Sequence, residues 1–182
     1  MPLRSCVLSA AVLVLAAAPA PAQHVGHPSD HPAHASPYAG FERREASGLS
    51  AAEVADLRAG RGMGFALPAE VNGYPGPLHV LELADRLHLT PGQHARMEAL
   101  LLAMRAEAVP LGEVLVAAER ALDQVFLSGT ATVAEVDAAV EAAARARGRV
   151  RAAHLRVHLA ARDVLTQEQR AAYARLRGYA PP

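Results

Sequence analysis

Nine histidines and no lysine set the chemistry open to this chain. His24, His27, His31 and His34 stand three or four residues apart in a stretch rich in Pro, Ser and Ala. Neutral imidazole is the commonest metal ligand, and four of them on one flexible segment can wrap Zn, Ni, Co or Cu. Asp30 offers an oxygen donor beside them. Pro28 and Pro32 forbid a regular helix there, so such a site would form only on binding. The plain alternative is a solvated low-complexity tail that takes up metal adventitiously. His154 and His158 form a second set, one helical turn apart, and can clamp an ion from a single face. Glu98, on the preceding long helix, is the residue expected to complete that site. Arg147, Arg151 and Arg162 fall on nearly the same helical face and oppose a bound cation unless they turn to carboxylates. The alternative is a basic helix face carrying two ordinary histidines.

The same helix carries a stripe of arginines between Arg145 and Arg162, interleaved with apolar residues. Arginine stems cover apolar surface while their heads attract acidic segments, which suits loose holding of unfolded chains. Arg147, Arg151, Leu155, Leu159 and Arg162 are the candidate client-binding residues. Equally, these arginines can pair with glutamates of the neighbouring helix, leaving the apolar residues as ordinary core. No catalytic residues are expected, since neither a nucleophile elbow, a metalloprotease motif nor a dinucleotide loop is present. Gly60, Gly62 and Gly64 follow no strand and are not a nucleotide loop.

The elements that must position these residues are helical. Alanine is abundant and aromatic residues are few, which favours helices over sheets. Arg4, the apolar run from Cys6 to Ala18 and the small residues at Ala20-Pro21-Ala22 read as a signal peptide over residues 1–22. An uncleaved anchor is the alternative, but the run is short for a membrane span. A periplasmic product without a later membrane segment is therefore expected. Cys6 is the only cysteine and leaves with the signal, so no disulfide or thiolate ligand remains. The absence of lysine excludes a Schiff-base or phosphate-loop lysine. Net charge is zero, which gives no bulk electrostatic case for nucleic acid.

After a tail over 23–40, residues 41–77 read as a short capped helix from Ser50 to Ala59 and a Gly/Pro-rich loop. The domain of residues 78–178 opens with a short helix from Leu78 to His88. A long helix with a heptad seam from Met97 to Val125 follows, and Pro110 is expected to kink it. Ser128-Gly129-Thr130 turns the chain into a second long helix, whose seam runs from Val133 to Val164. Two long helices joined by so short a turn pack antiparallel. Residues 179–182 are a C-terminal tail.

One pattern occurs twice: Leu89-Thr90-Pro91-Gly92-Gln93 opens the first long helix, and Leu165-Thr166-Gln167-Glu168-Gln169 follows the second. Each reads as a capping box, with threonine capping the helix and glutamine reaching back to the cap. Together with the expected signal peptide and hairpin, the two motifs resemble the Spy/CpxP family of periplasmic stress proteins, over residues 78–178. That superfamily also includes periplasmic metal-sensing and metal-resistance proteins. The resemblance implies an all-α fold, a bent antiparallel helical hairpin with short flanking helices, as an intertwined homodimer with a concave face. It implies metal sensing or resistance through a divalent ion, or ATP-independent chaperoning of unfolded periplasmic proteins, or contact with an envelope sensor protein. Metal-sensing relatives carry two His-x-x-x-His pairs, of which this chain matches only His154/His158; His79, His88 and His94 are more widely spaced.

Overall fold

Four of the six α-helices among the described residues begin with the same local device. Helices α1 (Ala51–Arg58), α4 (Pro91–Leu127), α5 (Val133–Val164) and α6 (Gln167–Leu176) start behind Ser50, Thr90, Thr132 and Thr166. In each, the hydroxyl accepts the backbone N–H three residues on, and the side chain at that position accepts the N–H of the cap residue. The capped starts thus satisfy N–H groups that a helix end leaves free. The shorter α2 (Leu67–Glu70) and α3 (Pro77–Glu82) carry proline in their first turn instead.

This computed structural model describes residues 36–179, and residues from Tyr38 onward form one compact unit. The expected signal peptide and His24, His27, His31 and His34 lie outside the described residues. Among the described residues the only regular elements are helices, apart from an isolated bridge between Ala46 and Leu49. The fold is all-α, and no described helix is long and apolar enough to cross a membrane.

Helices α4 and α5 form the expected antiparallel hairpin, and α4 continues through Pro110 as one helix. Gly129 turns the chain between them with φ 69°, in the left-handed region that glycine enters without strain. The seam of α4 is inside or half-buried along its whole length, from Met97 to Val125. That of α5 holds at Ala143, Val150 and Val157, but Val133 and Val140 are exposed. The reason is architectural: two helices alone cannot enclose the tip of the hairpin. The region from 60 to 77, expected to be loop throughout, contains α2, a single helical turn.

Two cores fill the hairpin at different heights. One joins Ala46, Leu49, Val54 and Leu57 to Leu115, Val116, Ala146 and Val150. The other joins Val80, Leu87 and Met97 to Ala161, Leu165 and Tyr173. The segment of residues 41–77 therefore has a clear role, since α1 packs across α4 and completes the first core. Its approach depends on Gly112, where a Cβ would lie 2.7 Å from the carbonyl oxygen of Leu57.

Candidate functional site

The antiparallel hairpin brings its two twin motifs side by side. Nε2 of Gln93 donates to Oε1 of Gln169 at 2.8 Å and to the carbonyl of Val164 at 3.0 Å. In return, Nε2 of Gln169 donates to Oε1 of Gln93 at 3.0 Å and to the carbonyl of Leu87 at 3.2 Å. Each Oε1 also accepts the N–H of its own cap residue, Thr90 or Thr166, at 3.0 Å. Both amides thereby use two donors and two acceptor positions, the full inventory of a glutamine side chain. Glutamate offers the acceptors but no donor, so it caps a helix without making this cross-link.

Between the two cores lies a cavity of about 400 Å³. Its position follows from register. On α4, Leu101 and Met104 separate Met97 of one core from Leu115 of the other; on α5, His154 and His158 separate Val150 from Ala161. The far wall is the turn from Gly60 to Gly64, with Leu67 and Leu78 beyond it. Three residues of that turn are left-handed, Gly60 at φ 62°, Met63 at φ 45° and Gly64 at φ 78°. A methionine held there is strained, and Met63 stays because it packs against the first core.

Both histidines of α5 face inward. His154 is 3% exposed and stacks on Phe65 with ring centroids 6.0 Å apart. Its Nε2 is buried without a hydrogen-bond partner. Burial, and secondarily the neighbouring His158, hold the imidazole below the usual histidine pKa. His158 is 8% exposed, and its Nδ1 lies 2.7 Å from the carbonyl oxygen of Tyr74. A carbonyl only accepts, so Nδ1 carries the proton. Gly76 lets the backbone pass this ring, since a Cβ there would lie 2.8 Å from Cε1 of His158.

A buried carboxylate fastens this wall to the last helix. Glu70 Oε1 accepts from the hydroxyl of Tyr173, Oε2 accepts from the N–H of Gly76 at 3.1 Å, and Nε of Arg177 lies 3.6 Å from Oε1. Nδ1 of His158 is 3.6 Å from Oε2. Burial first, and Glu70 second, push the Tyr173 phenol far above its ordinary pKa, so it donates as a neutral hydroxyl. Sequence reasoning missed Glu70, Tyr74, Gly76, Tyr173 and Arg177. The Glu70–Tyr173 bond spans 103 positions, and no motif marks either residue.

The other expected site residues are scattered. Glu98 is exposed, with its carboxylate 3.5 Å from Nδ1 of His94, and it does not join the His154/His158 pair. That pairing of Glu98 with the α5 histidines is corrected: Glu98 lies on an outward face of α4, whereas the buried carboxylate beside His158 is Glu70. Among the described residues, no three or more His, Cys, Asp or Glu are grouped to hold a metal ion. Arg151 and Arg162 flank the histidines at the exposed edge of that helical face. Arg147 is half-buried and bonds Glu119 at 3.4 Å, and the guanidinium of Arg162 lies over the Tyr74 ring at 4.7 Å. Arg151 and Leu159 are exposed and Leu155 is half-buried. Arg156, also on α5, pairs with Glu107 of α4.

The architecture defines a class: an all-helical protein built on one long antiparallel hairpin, closed at its base by two interlocked threonine–glutamine caps. The chain belongs to the LTXXQ motif family, whose model matches residues 78–177. No curated protein and no solved structure matches it.

Proposed function

We propose that the protein is a periplasmic envelope-stress protein that holds non-native chains on the outer face of α5, with no covalent chemistry and no nucleotide. Family membership and the resemblance to Spy/CpxP proteins support an extracytoplasmic stress role. The observation that carries the holding function is the stripe Arg151, Leu155, Leu159 and Arg162. These residues stand at spacings that align on one helix face, and Leu159 is 56% exposed beside them. Such a surface gives apolar contact and anion attraction without a shaped pocket, as loose holding of varied sequences requires. Phe126, Leu127 and Val133 at the hairpin tip are also exposed. A second copy covering them fits the homodimer that the resemblance implies.

The test is suppression of aggregation of a chemically unfolded protein in metal-free buffer, with wild type compared to Leu159→Glu and Arg151→Glu. Both positions are exposed, so folding is retained. A several-fold loss of suppression is expected; wild type without any suppressing effect, or both variants equal to wild type, sinks the reading.

A second reading, metal sensing or resistance, is favoured by the ring orientations. Nδ1–H of His158 is held by a backbone carbonyl, which leaves Nε2 with its lone pair, the arrangement found in metal-bound imidazoles. With Nε2 of His154 unpartnered, the chain offers a two-histidine grip and no third ligand among the described residues. His24, His27, His31 and His34 are the proposed additional donors for Zn, Ni, Co or Cu. Calorimetric titration with each ion, repeated on His158→Ala and on a chain lacking residues 23–34, separates the two donor sets. Unchanged stoichiometry and affinity in both variants removes the metal role.

A further inference from the structure

The cavity has features that neither client holding nor metal binding uses. Its walls are mainly apolar, formed by Met63, Leu67, Leu101, Met104 and Val157. Its volume of about 400 Å³ falls within the range of small-molecule sites, roughly 300–1,000 Å³. The charged groups on its wall are unbalanced. Arg61, Arg105 and Arg177 are cationic and Glu70 is the one acid. Glu70 is already engaged by Tyr173, Gly76 and Arg177, and Arg61 is bound to Asp56 at 2.5 Å. Arg105 has neither an ion pair nor a side-chain hydrogen bond among the described residues. Nε of Arg177, buried in the same wall, has no hydrogen-bond partner and only the 3.6 Å ion pair with Glu70.

These observations call for a ligand with one anionic acceptor group on an apolar body. We propose that the cavity between the two cores binds a medium-chain monocarboxylate, its alkyl chain along Leu101, Met104 and Val157 and its carboxylate accepting from Arg105. One unpaired arginine matches a single negative charge, which favours a carboxylate over a phosphate ester of higher charge. The excess of arginine disfavours an alkyl cation of the same length. The site lies on the inner side of α5, opposite in role to the outer stripe, so its occupation and client holding are separable.

Titration of the full chain with decanoate, decanol and decyltrimethylammonium, followed by calorimetry, tests the proposal. Saturable one-to-one binding of decanoate is expected, with each of the other two at least roughly tenfold weaker. Arg105→Gln, at an exposed position, is expected to weaken decanoate roughly tenfold while leaving decanol unchanged. Met104→Trp, which fills the cavity, is expected to abolish binding of both; a thermal melt verifies that this variant folds, and Arg105→Gln decides alone if it does not. No saturable decanoate binding, equal affinity for the alkyl cation, or decanoate affinity unchanged in Arg105→Gln overturns the proposal.

Discussion

Gln93 and Gln169 bond to each other through both halves of their amides, across 76 residues of chain. A repeated cap becomes, through this exchange, a lock between the first turn of α4 and the first turn of α6. The leucine of each motif belongs with the lock, because Leu165 is buried in the second core and Leu89 packs against it. The motif thus encodes a cap, an apolar anchor and a cross-link in five residues.

Replacing Gln93 with glutamate keeps the cap acceptor and removes the donors. The carbonyl of Val164 and Oε1 of Gln169 would then face a carboxylate. A destabilisation of about 2–3 kcal/mol is expected by denaturant unfolding. Gln93→Leu and Gln169→Leu should each be costly alone, and the double variant should cost clearly less than their sum. Strict additivity would show that the amides act only as separate caps.

Gly112 is a spacing residue. Gly112→Ala puts a methyl carbon 2.7 Å from the Leu57 carbonyl oxygen, against backbone that cannot turn away. Although alanine favours a helix, the crossing of α1 over α4 must widen, and a net loss of about 1–3 kcal/mol is expected. A thermal melt unchanged or raised by the substitution contradicts the close crossing.

Tyr173→Phe removes the hydroxyl that Glu70 accepts and leaves a buried carboxylate short of one donor. About 1–3 kcal/mol of stability should be lost. Because Glu70 fastens the 60–77 wall to α6, the backbone amides of residues 67–77 should exchange faster with solvent than those of α4. Uniform acceleration along the whole chain would refute this local role.

Burial of His154 fixes the sign of a pH effect. Its folded pKa lies below the unfolded value near 6.5, so the unfolded chain binds more protons between the two. Above about pH 6.5 both states are neutral and this residue adds no pH dependence. As pH falls below that value, stability should decline until the folded state also protonates. His154→Phe keeps the stacking on Phe65 and should flatten this part of the profile. An unaltered slope in the variant would assign the effect to other groups.

Much of the fold was legible in the sequence because helix caps and heptad seams are local. Ser50 with Glu53, Thr132 with Glu135 and the two Thr–Gln pairs announced four helix starts. The site was legible only in part. Spacing placed His154 and His158 on one face but not which way that face turned, since an alanine-rich helix offers weak amphipathic direction. Ala146, Ala153 and Ala161 define its buried side as much as the valines do. The Glu70 network joins a one-turn helix to the end of the chain, so no periodic pattern signals it. The cavity wall is built from glycines and a strained Met63, which as sequence looked like loop.

The hairpin is locked at its base by the paired glutamines and bare at its tip, where Phe126, Leu127 and Val133 meet solvent. Such a rod is stiff at one end and compliant at the other, and it should fray from the tip while the base stays whole. Amides in the far turns of α4 and α5 should therefore exchange with solvent sooner than those beside the glutamines, an uneven protection that the chain carries along a single pair of helices.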